Sequence, residues 1–473
     1  MVVLKKGADV ELLIEKASFG GKGVARLNGF VVFVQHAIPG QRVLARIIRK
    51  KKAYAEARVL SVLEESDYAI LPRCSHFGSC GGCLWQNVPY ARQLDIKRQL
   101  VFDCLAHIGG LAEHLVRPVR PSPQVYYYRN KMEFSFGDER WLEPGELKLE
   151  HLPKPRNFAL GLHVRGRFNR VLDLEECHLQ HADTAEILAV VRQFARTSGL
   201  PPYNSRDHTG FWRFLVVRHS RYSDTMMVEI ITAPHRSGPK LLAQLAAMLQ
   251  RRLPAVATIV HGVSAKKAQI ASADSRLVLC GPGYLEERLG SLCFRISPGA
   301  FFQTNTSGAE ILVQEVLEAA GLSGVEEVWD LYCGTGALTL HLASRAGKVV
   351  GFEIVPQAVV DACANARLNN LTNCEFVVGD MRALFQQTAT WSGHSSVPEV
   401  VVTDPPRAGM HPKVVRGLLE LGPPRIVYVS CNPATLARDL KLLQEQYRLH
   451  HIQPVDLFPH TAHIEVVALL ARE

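Results

Sequence analysis

The fold of the C-terminal part is decided by Val328-Trp-Asp-Leu-Tyr-Cys-Gly-Thr-Gly336, in which an apolar run passes through a glycine turn into helix-like sequence. The same alternation of strand and helix patterns continues to the end of the chain. It predicts strands over residues 325–331, 348–352, 375–378, 399–403, 425–430 and 465–470. Strands that alternate with helices form an α/β domain with a largely parallel, Rossmann-like sheet.

The ends of the first three predicted strands carry residues suited to a nucleoside ligand. Gly334 and Gly336 let the backbone approach a ligand at the carboxyl ends of the strands. A dinucleotide fingerprint would have a third glycine where this chain has Thr339. Glu353 is placed to bind ribose hydroxyls and Asp380 to meet an adenine amino group. Each carboxylate alone is usually a solvated strand end, but the three strand ends in order fit the S-adenosylmethionine pocket of methyltransferases.

Two later strands end in segments that carry chemistry, Asp404-Pro-Pro-Arg407 and Ser430-Cys-Asn-Pro433. Cys431 follows the carboxyl end of its strand, beside the expected cofactor pocket, where a thiol is placed to act as a nucleophile. The alternative is a small buried thiol, the usual role of a lone cysteine and the one we assign to Cys333 and Cys363.

Near the N-terminus, residues 9–62 alternate short apolar and polar runs with turn sequences. The runs are Val10-Glu-Leu-Leu-Ile14, Phe30-Val-Val-Phe-Val34, Arg42-Val-Leu-Ala-Arg-Ile-Ile48 and Ala55-Glu-Ala-Arg-Val-Leu60. Four or five short strands with tight turns predict a small barrel of the oligonucleotide-binding type. The segment also resembles the TRAM module, an RNA-binding barrel found on RNA-modifying enzymes. Residues 64–72 are then expected to be a linker.

The positive charge of the chain is concentrated in this barrel. The net charge is +9, and residues 1–60 contain 12 Lys or Arg against 4 Asp or Glu, a local balance of +8. Residues 320–473 contain 12 against 15, a balance of −3. A basic segment joined to a near-neutral body favours a polyanion such as a nucleic acid as partner. The alternative is a solvated charged face.

The middle of the chain is predicted to be mixed α+β. A helical pattern covers residues 89–111 and another covers 238–253, whereas Phe211-Trp-Arg-Phe-Leu-Val-Val217 has the composition of a strand. Two segments mix aromatic rings with cations, Tyr126-Tyr-Tyr-Arg-Asn-Lys131 and Phe211-Trp-Arg213 with Arg218. Such mixtures suit RNA contacts, but a buried strand explains them equally well.

Three cysteines lie close together in Cys74-(x5)-Cys80-Gly-Gly-Cys83. The Gly-Gly turn allows this segment to fold back on one metal centre. A zinc site usually has two to four residues between paired cysteines, so the spacing of five after Cys74 favours another centre.

Length and composition exclude several classes of protein. A chain of 473 residues suggests about three domains. Its 47% apolar and 21% charged residues are ordinary for a globular protein, and no apolar run approaches the ~18 residues of a membrane span. The start lacks a secretory signal, so we expect a cytoplasmic protein without a membrane partner. Eleven unevenly spaced cysteines do not form a secreted disulfide framework.

Taken together, the motifs resemble those of the uracil-5 RNA methyltransferase family, which makes 5-methyluridine in ribosomal and transfer RNA. The matching segments are Phe301-Phe-Gln-Thr-Asn305, Asp330-Leu-Tyr-Cys-Gly-Thr-Gly336, Asp404-Pro-Pro-Arg-Ala-Gly409, Tyr428-Val-Ser-Cys-Asn-Pro433 and His463-Ile-Glu465. The resemblance implies that Cys431 is the nucleophile and Glu465 the base that removes the C5 proton. It implies that the S-adenosylmethionine site is lined by Gln303, Tyr332, Glu353, Asp380 and Asp404. One departure is Ala337, where several relatives have asparagine.

The resemblance also implies that the cysteines hold a four-iron four-sulfur cluster, with Cys177 as the fourth ligand beside Cys74, Cys80 and Cys83. Zinc is the alternative metal, and Cys104 is the alternative fourth ligand. We expect a structural role for the cluster, because methyl transfer moves no electrons.

The sequence therefore predicts three domains in a monomer. These are a barrel over residues 1–65, a central domain over 66–300 that carries the cluster and RNA contacts, and a methyltransferase domain over 301–473. The resemblance favours ribosomal RNA as the substrate, because a cluster together with this barrel is more typical of the ribosomal enzymes of the family, and transfer RNA is the alternative. Two other classes remain: an RNA chaperone, which would be expected to lose Cys431 or Glu465, and a nucleotide-dependent oxidoreductase, which the missing third glycine opposes.

Overall fold

The computed structural model of the chain describes residues 4–143, 145–385 and 397–473. In these ranges the strands form four sheets: a six-stranded sheet at the N-terminus, a seven-stranded sheet in the centre, a two-stranded hairpin and a seven-stranded sheet at the C-terminus.

The N-terminal sheet closes into the predicted barrel. Its strands are Asp9–Leu13 (β1), Lys16–Ala17 (β2), Gly23–Leu27 (β3), Phe30–Gln35 (β4), Arg42–Lys50 (β5) and Tyr54–Glu64 (β6). They are ordered β1-β5-β6-β4-β3-β2. The backbone N–H of Glu15 donates to Val24 at 2.8 Å, which joins the end of β1 to β3. Alternate side chains fill the interior, so the period-2 pattern predicted the barrel, although β2 and β3 are additional strands.

The central part is mixed α+β, as the sequence predicts. Helix α1 (Tyr90–Cys104) continues into a π-helical turn at Leu105–Gly109. The sheet strands are Lys131–Gly137 (β7), Ala159–Val164 (β8), Arg167–Asp173 (β9), Trp212–His219 (β10), Met226–Thr232 (β11), Val256–Val263 (β12) and Ser275–Cys280 (β13). Helices α2 (Thr184–Thr197) and α3 (Gly238–Arg252) pack against this sheet, and short 3-10 turns lie at Glu113–Leu115 and Glu146–Lys148.

One of the two predicted RNA-contact segments is instead part of the core. Phe211, Trp212 and Arg213 are buried, and so is Arg218. The guanidinium of Arg213 donates to three backbone carbonyls, among them that of Ser264 at 2.9 Å. The interpretation as a buried strand is therefore correct for this segment, because backbone oxygens satisfy the cation inside the protein.

The C-terminal part begins with a hairpin of Leu285–Leu289 (β14) and Leu292–Ile296 (β15). Its helices are Thr306–Ala320 (α4), Ala337–Ala343 (α5), Pro356–Leu368 (α6), Met381–Leu384 (α7), Pro412–Leu421 (α8) and Pro433–Leu443 (α9). The strands are Glu327–Leu331 (β16), Lys348–Glu353 (β17), Cys374–Val378 (β18), Val400–Thr403 (β19), Arg425–Ser430 (β20), Tyr447–Val455 (β21) and Glu465–Arg472 (β22).

The order of this sheet is β18-β17-β16-β19-β20-β22-β21. The first five strands are parallel, whereas β22 runs antiparallel to both of its neighbours. All six predicted strands are present, and β21 was not predicted. Because β22 is reversed, its first residue lies at the same edge as the carboxyl ends of the parallel strands.

The hydrophobic cores combine elements from different parts of the chain, so they do not follow the predicted domain boundaries. The hairpin β14–β15 packs with α4 and α6 through Leu289, Phe294 and Ile296. Val101 and Leu105, from α1 and the turn after it, join the core of the C-terminal sheet. The domain boundaries at residues 65 and 300 therefore stay predictions. In the described ranges, no helix is both long and apolar enough to cross a membrane.

A buried carboxylate joins three elements of the C-terminal sheet. Asp439 on α9 accepts hydrogen bonds from the Tyr428 hydroxyl on β20, at 2.7 Å, and from the Met410 N–H in the loop after β19, at 2.9 Å. This carboxylate holds the loop that follows Asp404 against the strand that leads to Cys431.

We expect Tyr428→Phe to lower the free energy of unfolding by about 1.5–3 kcal/mol, because a hydrogen bond to a buried charged group is lost. Tyr447→Phe is the matched control: the hydroxyl of Tyr447 donates to the neutral carbonyl of Pro423 at 2.9 Å, so its loss should cost only about 0.5–1.5 kcal/mol. Urea unfolding followed by circular dichroism measures both. Equal losses would contradict the role given to Asp439.

Candidate active site

The two residues predicted to carry the chemistry lie next to each other across an antiparallel strand pair. Ser430 at the end of β20 pairs with Val466 on β22. One step further along the same register brings Cys431 opposite Glu465, the first residue of β22. Glu465 is 5% exposed, and Cys431 is partly buried. The strand pairing thus brings a thiol and a carboxyl group together.

Asp404 joins this pair from the neighbouring strand. Its backbone N–H donates to Leu331 at 3.2 Å, which continues the ladder between β19 and β16 past Thr403. The loop that follows is fastened to the cysteine segment, because the side-chain amide of Asn432 donates to the Arg407 carbonyl at 2.9 Å. The oxygen of the same amide caps α9. Sequence reasoning missed this role of Asn432.

The electrostatics of the site raise the pKa values of its three acidic groups. Burial raises the pKa of Cys431 to about 11, and the carboxylates of Glu465 and Asp404 add to the effect, whereas Arg407 opposes it. Burial, then the charge of Asp404, raises the pKa of Glu465 well above its ordinary value. Burial raises the pKa of Asp404 to about 7. The free site therefore holds a thiol rather than a thiolate.

A pocket opens beside these residues at the strand ends. It is lined by three of the five predicted cofactor residues, Gln303, Tyr332 and Asp404, together with the glycine turn at Gly334. Phe301 also lines it and is 69% exposed. A pocket with aromatic rings, an amide and carboxylates at the carboxyl ends of parallel strands fits S-adenosylmethionine.

The glycine turn needs its glycines. Gly336 has φ +85°, and a Cβ atom there would lie 3.2 Å from the Cβ of Ala362 on α6. Tyr332 also has a positive φ, of 67°, although it has a side chain. Backbone strain of this kind persists where the surroundings hold it, and it occurs often at ligand sites.

Glu353 and Asp380 lie at the ends of the next strands but outside the lining of this pocket. Glu353 accepts from the N–H groups of Gly334, at 3.1 Å, and Val355, at 2.8 Å. Asp380 caps α7 and pairs with Arg382, which holds the pKa of the carboxyl at about 2. Its charge adds to the burial that raises the pKa of Tyr332 to about 12, so Asp380 faces the tyrosine.

Sequence reasoning gave Asp330 no role, although the side chain lines the pocket. One carboxylate oxygen accepts from Thr339 at 2.6 Å, and the other is buried without a partner. Burial is the main reason that its pKa rises to about 7, and the charges of Asp404 and Glu353 contribute. The available signal was a carboxyl group inside a mostly apolar strand, next to the glycine turn.

The four cysteines predicted to bind metal are close enough to influence one another. Burial raises the pKa of Cys83 to about 12, and the charges of Cys177, Cys80 and Cys74 contribute. Burial likewise raises the pKa of Cys80 to about 11, again with contributions from Cys177 and Cys74. For Cys104 the raised pKa has burial and Asp103 as its causes. The structure therefore brings together the predicted four and leaves Cys104 apart.

The loop that carries these cysteines packs closely against the neighbouring backbone. The N–H of Gly81 donates to the His163 carbonyl at 3.2 Å, and a Cβ at Gly81 would lie 2.6 Å from that oxygen. The buried amide of Gln86 donates to the Cys83 sulfur at 3.2 Å and accepts from the Cys74 N–H at 3.0 Å. Hydrogen bonds to sulfur are typical around metal-bound thiolates.

The spacing of the sulfurs matters for the kind of metal. Two cysteines on one zinc ion lie about 3.8 Å apart, since each Zn–S bond is about 2.3 Å. Among the described residues, the only group of three or more possible ligands within 4.8 Å of one another is His181, His219 and Asp224. In the part of the chain that the structure describes, no three of the cysteine sulfurs lie within 4.8 Å of one another. The two histidine rings stack at 4.3 Å, so their lone pairs do not converge on a common ion.

The second predicted RNA-contact segment is mixed. Tyr128 is buried, whereas Tyr127 is 42% exposed. The guanidinium of Arg73 lies over the rings of Tyr126 and Tyr127, at 5.0 and 5.2 Å from the ring centroids. This face next to the cysteine loop presents rings and a cation to solvent, which suits a nucleic acid.

Comparison with known proteins agrees with these features. A family model described as tRNA (Uracil-5-)-methyltransferase matches residues 268–473, and a TRAM domain model matches residues 3–60. A protein of Nitratidesulfovibrio vulgaris, named an uncharacterized RNA methyltransferase, is 41% identical over 473 residues, covering 100% of this chain and 98% of that protein. A protein of Chlorobaculum tepidum with the same description is 42% identical over 475 residues, covering 99% and 97%.

A solved structure is also similar over nearly the whole chain. It is the crystal structure of Pyrococcus abyssi tRNA (uracil-54, C5)-methyltransferase in complex with S-adenosyl-L-homocysteine. The TM-score is 0.74 and the identity 26%, with 98% of this chain and 100% of that chain covered.

We expect Cys431 in the free protein to react slowly with iodoacetamide at about pH 8, because a thiol whose pKa is raised to about 11 is mostly protonated there. Asp404→Asn removes a negative charge, which lowers the pKa of the thiol and speeds alkylation. Mass spectrometry of the Cys431 peptide over a pH series measures both. Cys363 on α6 is the internal control, and its rate should not change. An unchanged Cys431 rate in Asp404→Asn would contradict the assigned electrostatics.

Proposed function

Because the chain belongs to the uracil-5 RNA methyltransferase family, we propose that it methylates C5 of a uridine in ribosomal RNA through a covalent bond between Cys431 and C6 of the base. The observation that carries this proposal is the position of Cys431 opposite Glu465 across β20 and β22, with Asp404 beside them. A nucleophile and a base at one sheet edge are the two groups that the reaction needs.

The cofactor of this family is S-adenosylmethionine, whose sulfonium supplies an electrophilic methyl group. Gln303, Tyr332 and Asp404 line the pocket that would hold it. Glu353 and Asp380, at the adjoining strand ends, are proposed to bind its ribose and adenine. The unpartnered oxygen of Asp330 supports a ligand with hydrogen-bond donors at this place.

The proposed reaction begins with the Cys431 thiolate. The sulfur forms a bond to C6, and the C5–C6 π electrons move toward O4 to give an enolate. C5 then forms a bond to the methyl carbon as the carbon–sulfur bond of the sulfonium breaks. Glu465 takes the proton from C5, the electrons of that C–H bond restore the C5–C6 double bond, and the bond to Cys431 breaks to return the thiolate.

Both groups must be ionised to act, and burial disfavours both ions. Arg407 is the cation that favours the Cys431 thiolate, and it follows Asp404 in the loop that Asn432 fastens. We therefore expect reactive thiolate only in the site loaded with RNA and cofactor. Because a stacked uracil is out of reach, the target base must leave its stack, at a cost of a few kcal/mol.

We propose further that Cys74, Cys80, Cys83 and Cys177 hold a four-iron four-sulfur cluster. The five residues between Cys74 and Cys80 favour this centre over zinc, and the hydrogen bond from Gln86 to Cys83 suits a metal-bound thiolate. The cluster would hold the loop that precedes α1, with no electron transfer in the reaction.

The choice of ribosomal RNA rests on the basic barrel together with the cysteine loop. The +8 balance of residues 1–60 supports electrostatic binding to an RNA backbone of either class. The solved relative acts on transfer RNA, which makes transfer RNA the alternative substrate. The next experiment separates the two.

Labelled S-adenosylmethionine is incubated with bulk RNA that lacks 5-methyluridine. We expect label in 5-methyluridine within the large ribosomal RNA; label in transfer RNA instead would overturn the substrate proposal. Cys431→Ala should abolish transfer, and Glu465→Gln should slow turnover about 10²–10⁴-fold because the general base is lost. Cys363→Ala is the matched cysteine control and should remain active. Full activity of Cys431→Ala would overturn the covalent mechanism.

Metal analysis of anaerobically purified protein tests the cluster. We expect about four iron and about four sulfide ions per chain with visible absorbance, and Cys83→Ser should lose them. Cys104→Ser is the control and should keep them, since Cys104 lies apart from the other four. One zinc ion per chain without visible absorbance would instead support the zinc alternative.

A further inference from the structure

The segment over residues 456–464 leads directly into Glu465 and joins β21 to β22. Its backbone is not held by regular pairing. His460 in its middle has a positive φ of 65°, a conformation that a non-glycine residue keeps only where its surroundings enforce it. The side chains that hold this segment lie on helix α1, more than 350 residues earlier in the sequence.

The first anchor is Gln93 on α1, which is fully buried. Its side-chain oxygen accepts from the His460 N–H at 2.8 Å, and its nitrogen lies 3.1 Å from Nδ1 of the His460 ring. The same nitrogen donates to the carbonyls of Trp85 and Val88, at 2.9 and 2.8 Å. Gln93 therefore fixes His460 and the segment that follows Cys83 with one side chain.

That segment also contacts His460 directly. The N–H groups of Leu84 and Trp85 both donate to the His460 carbonyl, at 2.7 and 3.1 Å. Leu84 is the residue after Cys83, so the cysteine loop and the segment before Glu465 share one hydrogen-bonded unit.

The second anchor is Lys97, one turn further along α1. Its ammonium pairs with Asp456 at 2.6 Å, and both side chains are 0% exposed. The ammonium also donates to the Phe458 carbonyl at 2.9 Å, and Asp456 accepts from the Phe458 N–H at 2.9 Å. A buried ion pair adds little net stability over a well-packed apolar pair, but it tolerates only one geometry.

We propose that Gln93 and Lys97 are positioning residues for Glu465: pairing with β20 and β21 holds its strand, and helix α1 fixes the segment that leads into it. This inference rests on the proposed role of Glu465 in removing the C5 proton. Addition of Cys431 and methyl transfer come before that step and do not need the base. Displacing Glu465 should therefore slow the last step alone, and the methylated RNA should remain attached to Cys431.

Gln93→Met tests this, because it keeps the size of the side chain and leaves no buried charge unpaired. We expect kcat to fall about tenfold to a hundredfold, as for a reacting group displaced by about 1 Å, with unchanged KM values. Methylated protein–RNA adduct should accumulate on denaturing gels. Hydrogen exchange of residues 457–464 should rise while iron content stays the same.

Two further variants distinguish a specific effect on Glu465 from a general loss of folding. Lys97→Met with Asp456→Leu removes both charges of the second anchor and should give the same adduct. Lys16→Met is the matched control: Lys16, on β2 of the barrel, pairs with Asp103 of the same helix α1 at 2.6 Å, and within the described ranges its side chain forms no hydrogen bond with residues 456–464, so no adduct should accumulate.

If the wild-type protein makes 5-methyluridine but the anchor variants lose activity without adduct, Gln93 and Lys97 are merely structural and the inference is overturned. If the wild-type protein makes no 5-methyluridine while its 457–464 exchange is protected through Gln93, the proposed function fails and the inference fails with it. Adduct in both anchor variants and none in Lys16→Met supports the inference.

Discussion

The site depends on one reversed strand in a parallel sheet. Parallel strands present only their carboxyl ends at the ligand-binding edge, so their contributions come from the residues just after each strand. Because β22 is antiparallel to β20, its first residue, Glu465, reaches that edge directly from a hydrogen-bonded strand. Cys431 follows β20, which pairs with β22, and Asp404 follows β19 on the other side of β20. Three neighbouring strands thus supply three groups from rigid backbone, which holds them more precisely than mobile loops would.

The same closeness makes the free site unreactive. Cys431, Glu465 and Asp404 are acids in a space with little water, and each ion would raise the energy of the next. The free protein therefore keeps its thiol protonated, which limits oxidation and alkylation. Arg407 lowers the pKa of the thiol, and the positive sulfonium of the proposed cofactor is expected to act in the same direction, which would tie the chemistry to occupancy of the pocket.

The parts of the fold that the sequence predicts are those with a local signal. Apolar runs followed by Tyr332, Asp404 and Cys431 predicted the strands and the edge at which they end. Strand β21 escaped because His450, His451 and Pro454 interrupt its pattern, and proline normally argues against an interior strand. Arg213 suited an RNA contact because arginines are usually exposed; its burial depends on three carbonyls that no sequence pattern predicts.

Contacts between segments that are far apart in the sequence could not be predicted, because neither segment alone carries a pattern that indicates its partner. The sequence pattern of the helix predicts an exposed position for Lys97. In the structure Lys97 is instead paired with Asp456, which is 359 residues away. Apolar packing alone would hold α1 against the C-terminal sheet but would tolerate small shifts of the segment after β21. A base must sit within a fraction of an ångström of its proton, and hydrogen bonds to buried polar groups impose that precision because any shift leaves them unpaired. The polar character of this interface is therefore explained by the position it fixes rather than by the stability it adds.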